Sequence, residues 1–132
     1  MAIDRFRFTE RSAGTISGFI QDENGDGVDP ATLTAATLTL YDLDTYVPGA
    51  SPVVGIVNNR DAQNVNGVND VTFPSNSPID GEFVWAVQPA DNIIVTERRQ
   101  VERHLAEFTF TWSGGSFVYR CEIDVENLEA TA

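Results

Sequence analysis

At 132 residues, with a formal charge of −12 and arginine as its only basic residue besides His104, the chain reads as one acidic domain long enough to bury its own core. That charge speaks against a nucleic-acid backbone, which needs a basic stripe, and against an anionic membrane surface. Asp4, Arg5, Arg7, Glu10 and Arg11 break up the start, unlike a signal peptide, and no stretch approaches the roughly 18 apolar residues of a membrane span, so a chain made and folded in the cytoplasm is expected.

Residues 1–12, with Ile3, Phe6 and Phe8 between charges, are expected to form a first strand or an extended arm, ahead of a single domain over 13–132. From Gly14 to Ile20, Ile16, Gly18 and Ile20 alternate with Thr15, Ser17 and Phe19, the period of a half-buried strand. A loop, Gln21 to Gly27, follows, and Asp29-Pro30 leads into a second strand in which Ala36, Leu38 and Leu40 oppose Thr37, Thr39 and Tyr41. Asp44 to Gly81 is rich in Asn, Gly and Pro; it has room for short strands at Val53 to Val57 and Val68 to Phe73, joined by long connections. Glu82 to Gln88 resumes the alternation with Phe83, Trp85 and Val87 inward, and Gln88 to Asn92 closes it with a turn. Ile93 to Val95 form a short apolar run. Thr96 to Glu102 is polar and mildly helix-tolerant.

The strongest pattern runs from Leu105 to Val125. Ala106, Phe108, Phe110 and Trp112 share one face of the first arm; Phe117, Tyr119, Cys121, Ile123 and Val125 share one face of the second. A two-residue turn at Gly114-Gly115, using positive φ, would set Trp112 opposite Phe117, Phe110 opposite Tyr119, Phe108 opposite Cys121 and Ala106 opposite Ile123. Seven to eight strands without a helix imply an all-β, antiparallel sandwich of immunoglobulin-like type with long loops, although the paired cysteines of antibody domains are missing. The single cysteine, Cys121, faces inward and is expected to behave as a small apolar residue.

Few residues suggest chemistry. Asp22, Asn24 and Asp26 before Gly27 match the opening half of a calcium loop, in which alternating oxygens converge around a glycine turn. The match stops at Leu33, where a bidentate Glu would be needed, and the same residues suit a solvated β-turn; Asp29 is a further candidate oxygen. His104 stands alone, with no nucleophile at a recognisable spacing, and is expected to satisfy local hydrogen bonds at a strand start. Arg98, Arg99 and Arg103 lie among Glu97 and Glu102, either a small docking patch or a set of solvated ion pairs. Trp85 and Trp112 fall on apolar strand faces and are expected in the core rather than as sugar platforms. No enzyme signature is present.

Two stretches carry a family likeness. Asn59-Arg60-Asp61-Ala62-Gln63-Asn64-Val65, followed by Trp85, by Gln88-Pro89-Ala90-Asp91-Asn92 and by Glu102-x-His104-x-Ala106-x-Phe108, resembles small virion proteins of tailed bacteriophages. Asp22-Glu23-Asn24-Gly25-Asp26-Gly27-Val28-Asp29-Pro30 followed by Ala36-Thr37-Leu38-Thr39-Leu40 is similar to the first hairpin of immunoglobulin-like phage domains of baseplate-adaptor type. The resemblance implies a non-enzymatic structural protein of the virion, made in the host cytoplasm: a capsid decoration or cement protein, or alternatively a neck or head-tail connector-associated protein. It implies the major capsid protein or neck and portal-region proteins as partners, self-association, and no nucleic acid, membrane or cofactor. The contacts are expected from Met1 to Glu10 and from Asp44 to Gly81. A calcium-dependent binding or adhesion module is the alternative of another class.

Overall fold

The computed structural model describes residues 3–47, 54–75, 77–95 and 100–127. The alternating segments become strands β1 (Asp4–Thr9), β2 (Gly14–Phe19), β3 (Leu33–Asp42), β4 (Gln63–Asn64), β5 (Val71–Thr72), β6 (Glu82–Val87), β7 (Val101–Trp112) and β8 (Gly115–Glu126). They form a five-stranded sheet in the order β1-β8-β7-β3-β4 and a three-stranded sheet in the order β2-β6-β5. Every strand pairing is antiparallel except β1 with β8, which is parallel. Taken in chain order from β2, the strands occupy the places of B, C, C′, D, E, F and G of an immunoglobulin sandwich, with β1 on the outer edge of G.

Both sheets turn their apolar alternates toward one another. Ile16, Phe83, Trp85 and Val87 come from the small sheet and Leu38, Leu40, Phe108, Phe110, Cys121 and Ile123 from the large one, all at 1% exposure or less. Phe83 is the hinge of this packing, its ring centroid 5.1 Å from Phe108, 4.9 Å from Phe110 and 5.3 Å from Tyr119. Offset and edge-on aromatic contacts of this kind add to the burial of the rings themselves.

The expected faces of the long hairpin are observed, but its register is not. Trp112 pairs with Gly115, Phe110 with Phe117, Phe108 with Tyr119, and Ala106 with Cys121. The turn is therefore Ser113-Gly114, two residues away in pairing from the expected one. A slip of two leaves every side chain on its own face, so alternation has no power to detect it. Neither Gly114 nor Gly115 takes positive φ. Space is tight at Gly114 alone of the two, because an added Cβ there would lie 3.2 Å from Trp112 Nε1.

Other expectations also shift. Residues 4–9 are a strand of the large sheet rather than a free arm. β2 and β3 lie in different sheets, so the loop between them crosses the sandwich and does not close a hairpin. Of the two short strands expected between Asp44 and Gly81, the first is reduced to a single bridge of Ile56 with Tyr41, and the second to β5; Val53 lies outside the described residues. β4 was not foreseen. Glu102 belongs to β7 and not to a helix-tolerant segment, while residues 96–99 lie outside the described residues.

Gly81 is fixed by conformation and by contact. Its φ is 78°, and an added Cβ would lie 2.3 Å from the carbonyl oxygen of Ile20. Gly25 has a similar φ of 82° with nothing within 4 Å. Gly81→Ala is therefore expected to destabilise by about 2–4 kcal/mol and Gly25→Ala by about 1 kcal/mol, measured by urea denaturation. Equal losses would show that the Ile20 contact does not matter.

Candidate functional site

The apolar alternation of β3 and of β7 ends in polar residues at the same end of the large sheet. Ala36, Leu38 and Leu40 lead to Asp42; Phe110, Phe108 and Ala106 lead back to His104 and Glu102. Asp42 and His104 are register partners on neighbouring strands, so their side chains share the inner face. All three are at 0% exposure, and one donor atom from each lies within 4.8 Å of the others. His104 Nε2 is 2.6 Å from Glu102 Oε1, which also accepts from the Val95 N–H at 2.8 Å. Asp42 accepts from the Thr45 hydroxyl at 2.7 Å and from the Asp44 N–H at 3.3 Å. His104 Nδ1 is buried with no hydrogen-bond partner. The trio is thus sealed from solvent.

A second polar cluster lies inside the sandwich around Arg60, which is 2% exposed. Its Nε and Nη2 donate to the two oxygens of Asp91, Nη1 donates to Gln63 Oε1 at 2.6 Å, and Nη2 also donates to Asp70 at 3.0 Å. Asp91, at 0% exposure, accepts further from Asn58 Nδ2 at 2.9 Å and the Gln88 N–H at 2.8 Å. The guanidinium lies 5.7 Å from the centroid of the Trp85 ring, whose face favours a cation. Burial works against the arginine charge, yet the hydrogen bonds and charges of Asp91 and then Asp70 outweigh it and hold the Arg60 pKa above its ordinary value. One side chain thus fastens the Asn-rich connection to the turn after β6.

The residues singled out for calcium do not converge in this way. Asp22 Oδ1 accepts the backbone N–H groups of Asn24 at 2.9 Å and Asp26 at 3.0 Å, and the loop is closed by a bridge between Gln21 and Gly27. Asp29 likewise accepts from the Ala31 N–H at 3.0 Å, capping a short 3-10 turn at Pro30–Thr32. These carboxylates are engaged as turn and cap acceptors. Arg103 pairs with Asp124 at 3.5 Å on the surface, whereas Arg98 and Arg99 lie outside the described residues. Trp85 is fully buried and Trp112 partly buried against the core. Cys121 is a free, buried thiol.

The two outer faces differ in character. That of the large sheet carries ion pairs between adjacent strands, Arg5 with Glu122, Arg7 with Glu126, Arg103 with Asp124 and Arg120 with Glu107. That of the small sheet presents Thr15, Ser17 and Phe19 from β2, Thr72 from β5, and Val84 and Ala86 from β6, with Glu82 alone charged at its end. Phe19 is 48% exposed and borders a cleft of about 310 Å³ that also includes Asp4, Gly18, Phe117 and Tyr119. Among the described residues no helix is long and apolar enough to cross a membrane. In comparison with known proteins the chain matches no family model and no curated protein.

Proposed function

We propose that this chain is a structural, non-enzymatic virion protein of a tailed phage, seated on the head shell as a decoration protein through the outer face of β2, β6 and β5. The observation that carries the reading is the contrast between the two outer faces. On a chain of net charge −12, the uncharged face of Thr15, Ser17, Phe19, Thr72, Val84 and Ala86 is the one that loses least on leaving water. The buried networks of Arg60 and of Asp42, Glu102 and His104 support it by making the sandwich a stiff platform. The family resemblance adds the phage context. Many copies on a symmetric shell would add avidity to a modest single interface.

Heads assembled without this protein provide the test. Wild type is expected to co-sediment with them and to appear as repeated density on the shell. Ala86→Glu combined with Ser17→Arg is expected to weaken binding at least tenfold with Tm unchanged, since both positions are exposed. Absence of wild-type binding to heads would overturn the decoration role, and a single ring at one vertex would move the protein to the neck. Undiminished binding of the double variant would show that this face is not the contact.

A further inference from the structure

We infer that the free edge of β2 binds one extended strand of a partner protein, uncharged in its middle, basic at its N-terminal end and acidic at its C-terminal end. The ladder inside the small sheet fixes which groups are free. The Ala86 N–H donates to the Asp70 carbonyl at 2.8 Å, so Ala86, Val84 and Glu82 turn their backbone groups toward β5, and Val87, Trp85 and Phe83 turn theirs toward β2. The Ile20 N–H, donating to the Gly81 carbonyl at 2.8 Å, agrees at the other end. Gly14, Ile16 and Gly18 therefore bond to β6, while the N–H and C=O groups of Thr15, Ser17 and Phe19 point away from it. Among the described residues no backbone group pairs with them. In an immunoglobulin sandwich strand A lies on this side of B; here β1 lies beside β8 instead, which leaves the edge open.

Three observations make a strand the fitting occupant. The first is that this edge lacks the protection of the others. Gly14 to Phe19 contain no charge and no proline, whereas β1 carries Asp4, Arg5 and Arg7, and β4 and β5 are two residues long. The second is an apolar floor. The Phe8 ring of β1 fills the place of a Cβ at Gly14, and toward the other end a cleft of about 310 Å³ lies among Ser17, Phe19, Phe117 and Tyr119. Phe6, Phe8, Phe117 and Tyr119 pack on the core yet are only partly buried, so apolar side chains at alternate positions of an added strand would cover them. The third is charge of opposite sign at the two ends. Arg11, just before β2, is exposed and is the one described arginine with no ion pair among the described residues. Asp22, Glu23 and Asp26 follow β2. An antiparallel strand that begins with a basic residue beside this acidic loop ends with a carboxylate beside Arg11.

The test uses the isolated chain without heads, so its outcome is separate from that of the shell contact. The probe is the synthetic peptide Arg-Thr-Val-Thr-Val-Thr-Val-Glu. In the free chain, amide hydrogen exchange is expected to be slow at Ile16 and Gly18 and fast at Thr15, Ser17 and Phe19. The peptide at about 1 mM is expected to slow those three at least tenfold. Residues opposite Thr15, Ser17 and Phe19 share their outer face, so the Thr residues of the peptide carry the bonding N–H groups. N-methylation at Thr is expected to weaken binding at least tenfold, and N-methylation at Val to leave it within about threefold. Ser17→Pro removes an outward N–H without touching the β6 ladder, and it is expected to fold and to bind at least tenfold more weakly. The methylated pair decides on the wild-type chain even if the proline lowers stability. No slowing by the peptide would overturn the inference, as would equal binding of the two methylated peptides or of a peptide with Arg and Glu exchanged. Protection that appears without peptide and grows with protein concentration would overturn it too, by giving the edge to a second copy.

Discussion

Arg60→Met is expected to cost about 3–5 kcal/mol, because removing one partner of a buried ion pair leaves the other charge in the interior without compensation. In a chain of this size that corresponds to a fall in Tm of roughly 10–20 °C. The substitution nearly conserves volume and keeps an apolar body against Trp85, so packing alone would predict a loss under about 1.5 kcal/mol. Asp91 would keep Asn58 and the Gln88 N–H as donors, which is too little for a carboxylate at 0% exposure. The double variant Arg60→Met with Asp91→Leu is expected to be more stable than the sum of the two single losses, with coupling of at least 1 kcal/mol. Chemical denaturation of the four proteins decides. Additive losses, or a single loss near that of a packing change, would mean that the network is incidental.

The reason this network escapes a reading of the sequence is distance along the chain. Arg60 and Asp91 are 31 residues apart, and nothing in a stretch full of Asn, Gly and Pro marks one arginine as internal. The irregular look of that stretch is also real: Asn58, Asn59, Ala62, Asn69 and Asp70 all take positive φ, as do Gly55 and Gly67. Backbone of this kind has no period to read, and Arg60 supplies from its side chain the order that a ladder would otherwise give. Periodic segments behaved differently. Ile16, Leu38, Phe83, Trp85, Phe108 and Ile123 were assignable to the core because alternation maps directly onto burial. The same rule, carried two and four residues back from Ala106 and two forward from Leu40, reaches His104, Glu102 and Asp42. The signal for that cluster was present, but polar residues at inward positions read as the end of a strand when no partner strand is known. Register remained hidden for a related reason: pairing Phe110 with Phe117 or with Tyr119 satisfies the pattern equally.

Deleting residues 1–10 is expected to destabilise the sandwich by roughly 3–5 kcal/mol, from the half-buried rings of Phe6 and Phe8 and the lost ladder to β8. An arm that serves only to reach neighbouring subunits would be removed without cost to Tm, so the melt of the truncated chain separates the two roles of this segment. Cys121 gives a second readout, because Asp4 is its register partner and β1 covers that edge of β8. Burial, and secondarily the Asp4 charge, push the thiol up to about 12 from an ordinary 9.0. Wild type should therefore resist a thiol reagent at pH 8, and the truncated chain should react at least tenfold faster. The linkage has a definite sign. Between pH 9 and 12 the unfolded thiol has lost its proton while the folded one keeps it, so the unfolded state binds fewer protons and stability falls as pH rises. Tyr119, raised by burial and then by its hydrogen bond to Asp4, acts in the same direction. Cys121→Ala in the full chain should make that alkaline fall shallower. An unchanged fall, with a truncated chain that melts like wild type, would show that β1 does not seal this edge.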